Sequence, residues 1–210
     1  MHPAAAFRVT DPLRLAAFVG ERAFAVVVGV AGGRPLAAHA PVVLNGRTLR
    51  FHLSGANPLT EALRAGGTAL AVVTGPDAYV SPDWYAAADQ VPTWNYVSVE
   101  MEGPVSPLAP EATARLLDDL SAQHEAPLAP KAPWTRAKMS AGRFETMLAA
   151  IQGFELAVER FEGVWKLSQN KPAEVGRVAG QLAARPDIGA RRIAALMADQ
   201  AALEKAGLRR

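Results

Sequence analysis

The 210-residue sequence contains no cysteine, which excludes a disulfide framework, a thiolate metal site and a cysteine nucleophile. It has no run of 18 apolar residues, so no transmembrane helix is predicted. The opening Met1-His2-Pro3-Ala4-Ala5-Ala6-Phe7-Arg8 is too short and too weakly apolar to act as a signal peptide before Asp11. There is no Gly-x-Ser-x-Gly elbow and no phosphate-loop motif,. Gly29-Val30-Ala31-Gly32-Gly33-Arg34 is glycine-rich, but no helix is predicted after it, so it is not a dinucleotide fingerprint. Net charge is only +2, too small to imply a polyanionic partner by itself. A soluble, cytoplasmic protein without membrane contact is the expectation left.

Half the residues are hydrophobic and 20% are charged, the balance of a globular protein with enough apolar material for a core. The length fits one domain, or one domain with a small appendage. Charge is unevenly spread: residues 1–165 carry −3, and residues 166–210 carry +5. The basic end reads either as a solvated helical tail or as a weak contact surface for phosphate or nucleic acid.

Thr10 or Asp11 and Pro12 open a helix through Arg22. Phe24 to Val30 is a β-branched run suited to a buried strand, and a second strand runs from Leu36 to Leu44. Asn45-Gly46 is a hairpin signal, followed by the alternating strand Leu49 to Leu53. After Asn57-Pro58 a short helix runs through Ala65. Strands are predicted over Thr68–Thr74, Ala78–Val80 and Trp94–Gly103, and helices over Pro110–Glu125 and about Thr135–Ala150. The proline-rich piece 126–134 reads as a surface loop, and Gly153 to Leu167 as the strand that closes the sheet. Two alanine-rich helices, about 173–184 and 188–206, follow. The fold class is mainly β with helices (α+β): a small β-barrel decorated with helices, over residues 1–171, with a helical extension over 172–210. The early turns are too short for the crossovers of a parallel sheet.

Four polar segments stand where a barrel rim would not need them for packing. The first, Ala38-His39-Ala40-Pro41, lies within the second strand. In the second, His52 to Pro58, Ser54 and Asn57 flank a helix start that reads either as an anion site or as an ordinary cap by Asn57. In the third, Val91-Pro92-Thr93-Trp94-Asn95-Tyr96, the aromatics either pack a core or hold a planar heterocycle. In the fourth, Trp165 to Lys171, Lys166 supplies charge while Ser168, Gln169 and Asn170 supply neutral donors and acceptors, a mixture suited to phosphate or to an amide-rich ring edge. A strand end with the tail helix's N-cap explains it equally well. The four histidines, His2, His39, His52 and His124, show no metal-ligand spacing.

Three strings then carry a family resemblance: Gly75 to Tyr85 (Gly-Pro-Asp-Ala-Tyr-Val-Ser-Pro-Asp-Trp-Tyr), Val91-Pro92-Thr93-Trp94-Asn95-Tyr96, and Trp165-Lys166-Leu167-Ser168-Gln169-Asn170. With Pro35 to Pro41 and Ala56-Asn57-Pro58 as weaker matches, the chain resembles the FMN-binding negative transcriptional regulators of the PaiB type from about residue 7 to residue 171. The resemblance implies an FMN-binding split β-barrel and a homodimer with flavin at the subunit interface. It implies flavin contacts from His39, Ser54, Asn57, Thr93, Trp94, Asn95, Lys166, Ser168, Gln169 and Asn170. Two positions depart from the family pattern. Gly55 stands where a basic residue is expected, and Glu100 where a histidine is expected. DNA binding is implied by the family name, but the tail helices form no convincing helix-turn-helix. A flavin-dependent reductase or oxidase on the same barrel is one alternative. A module for haem or another planar ligand, with His39 or His52 as the axial candidate, is the other.

Overall fold

The computed structural model describes residues 2–205. Among the described residues the elements are β1 (Arg8–Val9), α1 (Pro12–Arg22), β2 (Phe24–Ala31), β3 (Arg34–Asn45), β4 (Thr48–Ser54), α2 (Pro58–Arg64), β5 (Thr68–Val80), β6 (Thr93–Pro107), α3 (Pro110–Glu125), α4 (Arg143–Leu148), β7 (Ile151–Ala157), β8 (Arg160–Lys166), α5 (Val175–Ala183) and α6 (Ile188–Lys205). Contacts divide the chain into two compact units. One holds the N-terminal segment through Leu15, Thr74–Val99 and the chain from Glu162 onward; the other holds Ala16–Val73 and Glu100–Phe161. The divisions fall inside α1, β5, β6 and β8.

The second unit is a ring of antiparallel strands. β2 pairs with β3 and with β5, β3 pairs with β4, β4 with β7, and β7 with β6. The N–H of Val105 in β6 donates to the carbonyl of Gly67 beside the start of β5, at 2.8 Å. Alternation sets the inside of the ring: Ala25, Val27, Ala40, Val42, Leu49, Phe51, Phe154 and Leu156 are buried, while His52 and Arg50 point the other way, as a two-residue period demands. Phe51 lies opposite Phe154 in the β4–β7 register, and their rings stack at 5.5 Å between centroids. Leu59 and Leu63 of α2 and Leu116 and Leu120 of α3 are also buried.

The first unit pairs β1 with β8, Arg8 opposite Val164 and Val9 opposite Gly163. Helices α5 and α6 belong to this unit, with Val178, Leu182, Ala190, Ile193 and Met197 buried. Asp187 caps α6 through the N–H of Ala190 at 2.7 Å. The carboxylate of Glu174 accepts from the N–H groups of Ala86 and Ala87 at 3.0 and 3.3 Å, which fixes the loop after β5. Residues 206–210, the end of the expected extension, lie outside the described residues.

Several expectations shift in detail. The strand expected over Ala78–Val80 is the end of the 13-residue β5. The strand expected over Gly153–Leu167 is two, β7 and β8. At the break, the N–H of Val158 turns to Arg47 O and that of Glu159 to Glu102 O, at 2.8 and 2.9 Å. The helix expected over Thr135–Ala150 reduces to a 3-10 turn at Arg136–Lys138 and the six-residue α4, because Gly142 adopts a left-handed φ of 73° just before α4. No helix among the described residues is long and apolar enough to cross a membrane.

Candidate functional site

In the first unit, the start of β6 and the end of β8 form a pocket of about 300 Å³. It is lined by Thr93, Asn95, Lys166, Ser168 and Asn170 among the flavin contacts expected from sequence, and by Phe7, Tyr85 and Lys171, which were not among those expected contacts. Thr93 and Asn95 share a face of β6 because they are two residues apart. Asn95 is fully buried. Its amide nitrogen donates to Ser168 Oγ at 3.0 Å and approaches Met197 Sδ at 3.5 Å. Ser168 is buried and holds a left-handed φ of 62°, a conformation rare for a non-glycine residue,.

The charge in this pocket comes from two lysines. Lys166 Nζ donates to Thr93 Oγ1 at 2.6 Å and to the carbonyl of Trp94 at 2.5 Å, and lies 5.9 Å from the Phe7 ring centroid. Lys171 Nζ donates to Gln90 Oε1 and lies 4.4 Å over the Tyr85 ring. All these partners are neutral. Burial, helped by the positive charge of Lys171, holds the Lys166 ammonium below the ordinary lysine value,. A bound anion would counter both effects by favouring the charged form. Lys171 closes the Trp165–Lys171 string; its position there, five residues after Lys166, was the available signal.

The remaining expected residues lie elsewhere. Trp94 falls on the opposite face of β6 from Thr93 and Asn95; it is half exposed and meets Tyr79 edge-on at 6.2 Å. With Tyr79, Arg185 and Asp187 it lines a different pocket of the same unit. Gln169 turns back on the chain: it accepts from the N–H of Leu167 at 2.8 Å and donates to the carbonyls of Trp165 and Ala6 at 2.6 and 3.1 Å.

His39, Ser54 and Asn57 belong to the second unit. His39 is exposed on β3, its ring stacked with that of Phe24 at 6.1 Å. Asn57 caps α2, its Oδ1 accepting from the N–H of Leu59 at 2.9 Å. The N–H of Gly55 goes to Ala150 O, that of Ala56 to Ser54 Oγ, that of Asn57 to Ser54 O and that of Thr60 to Asn57 O. Every N–H from Gly55 to Thr60 therefore has an acceptor. The cap reading of this segment is realised, and no backbone donor is left over for an anion. At Gly55, a Cβ would meet the Ala150 carbonyl oxygen at 3.1 Å and Arg64 Nη2 at 3.9 Å. A guanidinium thus stands beside the position where a basic side chain is expected. Glu100, the other departure, pairs with Arg160 at 3.1 Å, and Arg160 also holds Glu102 at 2.5 Å.

Comparison with known proteins bears on the family and the fold. A family model described as "Putative FMN-binding domain" matches residues 1–160. The chain is 32% identical over 199 residues to the protease synthase and sporulation protein PAI 2 of Bacillus subtilis (strain 168), covering 92% of this chain and 95% of that one. Among solved structures, it resembles an FAD and heme binding protein from Mycobacterium smegmatis with a TM-score of 0.58 at 24% identity, over 76% of this chain and 73% of that one. It also resembles a flavocytochrome from Azotobacter vinelandii with a TM-score of 0.61 at 16% identity, over 79% and 72%. At these identities the structural likenesses speak for the fold, the split barrel that the sequence strings implied.

Proposed function

Because this chain belongs to the family of FMN-binding domains, we propose that it is a flavin-binding regulatory protein that holds the FMN phosphate between Lys166 and Lys171. The observation that carries this reading is the pair of ammonium groups on one pocket whose partners among the described residues are neutral. A phosphate there gives the two ammonium groups an acceptor of opposite charge in place of neutral oxygens. Thr93 Oγ1 accepts from Lys166 and keeps its own hydrogen to donate,. Asn170, exposed on the rim, adds an amide. The Asn95–Ser168 pair fixes the backbone that carries both lysines' strand and turn. FMN, when bound, supplies reversible one- and two-electron chemistry.

The same reading takes the chain as a homodimer with flavin where two copies meet, and takes transcription as the regulated process. Support for regulation is the PaiB-type string set and the sporulation relative; the +5 charge carried by the sequence of residues 166–210 is what would favour DNA.

The test is FMN titration by fluorescence quenching. Wild type binds saturably, and Lys166→Met and Lys171→Met each weaken binding by about tenfold or more, the equivalent of one charge-assisted hydrogen bond. Thermal melts of both variants stay near wild type, since Lys166 is a desolvated charge without a carboxylate partner among the described residues. No saturable binding, or full affinity in both variants, removes the reading. Sedimentation tests the dimer, and a salt-dependent mobility shift tests the DNA contact.

A further inference from the structure

A second cavity lies wholly within the second unit and shares no residue with the lysine pocket. It measures about 530 Å³, inside the range of about 300–1,000 Å³ usual for small-molecule sites. Leu117 and Leu120 of α3, Phe144 and Leu148 of α4, Ile151 of β7 and Trp134 from the segment between the helices form its walls. The charged groups at its edge are engaged with one another. Arg136 pairs with Asp118 at 3.2 Å and covers the Phe144 ring at 5.0 Å. Glu125 accepts from Lys131 and from the N–H of Trp134. The Ser121 hydroxyl donates to Leu117 O at 2.8 Å.

His52 differs from all of these. Phe51 and Leu53 point into the ring of strands, so His52 faces outward from β4 and lines the cavity. Its Nδ1 is buried and has no hydrogen-bond partner among the described residues. A neutral imidazole presents one donor and one acceptor nitrogen, and a hydroxyl can serve either.

We propose that this cavity binds an uncharged aromatic small molecule bearing one hydroxyl, with the ring among the apolar walls and the hydroxyl on the His52 imidazole. Apolar walls select the ring. Charge is disfavoured because the edge ions are already paired and an added buried ion would find no counter-charge. The proposal does not depend on the flavin reading, since the two pockets have no residue in common.

The probe is 2-naphthol, followed by its own fluorescence on the full chain, with 2-methylnaphthalene as the analogue that cannot hydrogen-bond. Wild type binds 2-naphthol saturably at one site and prefers it about fivefold or more, the worth of one net hydrogen bond. His52→Leu binds both compounds equally. Met147→Trp, which adds bulk from a half-exposed wall position, weakens both and serves as the second variant should His52→Leu fail to fold. Saturating FMN displaces neither compound. The proposal is overturned by absent or unsaturable binding, by no preference in wild type, by a preference that survives His52→Leu, by undiminished binding in Met147→Trp, or by displacement with FMN.

Discussion

Asn95 and Ser168, 73 residues apart, hold each other through both atoms of the amide: Nδ2 donates to Oγ at 3.0 Å, and Oγ donates to Oδ1 at 3.3 Å. Both side chains are shut away from water. The pair joins the start of β6 to the turn after β8, and through Met197 Sδ it reaches α6. Removing one partner leaves the other buried and unsatisfied, which costs about 1–3 kcal/mol. Asn95→Ala and Ser168→Ala are therefore each expected to lower stability by that amount, read from urea denaturation midpoints. The double variant should cost less than the sum of the two, because the second substitution removes a group already orphaned by the first. Strict additivity would mean that the two side chains do not act as a pair.

The ordinary imidazole value is about 6.5, and burial holds His52 below it in the folded chain. In the unfolded chain the ring is hydrated and titrates normally. As pH falls through the unfolded value, the unfolded state takes up a proton that the folded state resists, so stability falls with acidification and levels off only below the folded value. His52→Leu lacks this contribution. Urea melts from about pH 8 down to about pH 5 should show wild type losing stability relative to His52→Leu as the solution is acidified. His124, exposed on the same cavity, is present in both proteins and cancels in the comparison. Parallel curves would mean that His52 titrates normally in the folded state.

Local signals in the sequence were reliable where the partner was near in the chain. Asp11 accepts from Leu13 N–H at 3.0 Å, Asn57 caps α2, and α3 spans Pro110–Glu125 as its pattern predicts. Distant partners were not legible. The break between β7 and β8 is made by carbonyls of Arg47 and Glu102, which no local pattern announces. The rule of alternation separated Trp94 from Thr93 and Asn95, yet the density of aromatics drew them into one group. Gln169 has the chemistry of a ligand contact, but backbone groups of residues 6, 165 and 167 occupy its amide. The apolar cavity depends on Trp134, within the piece read as a surface loop, and on the histidine of an otherwise ordinary alternating strand.

At Gly103, β6 lies directly against the backbone at the end of β7. A Cβ at this position would lie 1.8 Å from the Ala157 carbonyl oxygen, 2.9 Å from its carbon and 3.2 Å from the nitrogen of Glu159. All three are backbone atoms, so no side chain can swing aside. The strands would have to separate, and the neighbouring bonds from Val158 N–H to Arg47 O and from Glu159 N–H to Glu102 O would stretch with them. Overpacking of this kind costs about 1–3 kcal/mol and occasionally more, and a clash with fixed backbone belongs at the upper end. Gly103→Ala should lower the denaturation midpoint accordingly. Gly20→Ala provides the contrast: that position in α1 has nothing within 4 Å of a Cβ, and alanine there should stabilise by about 0.5–1 kcal/mol through helix propensity. If Gly103→Ala leaves the denaturation midpoint unchanged or raises it, the close approach of β6 to Ala157 is not what requires glycine at position 103.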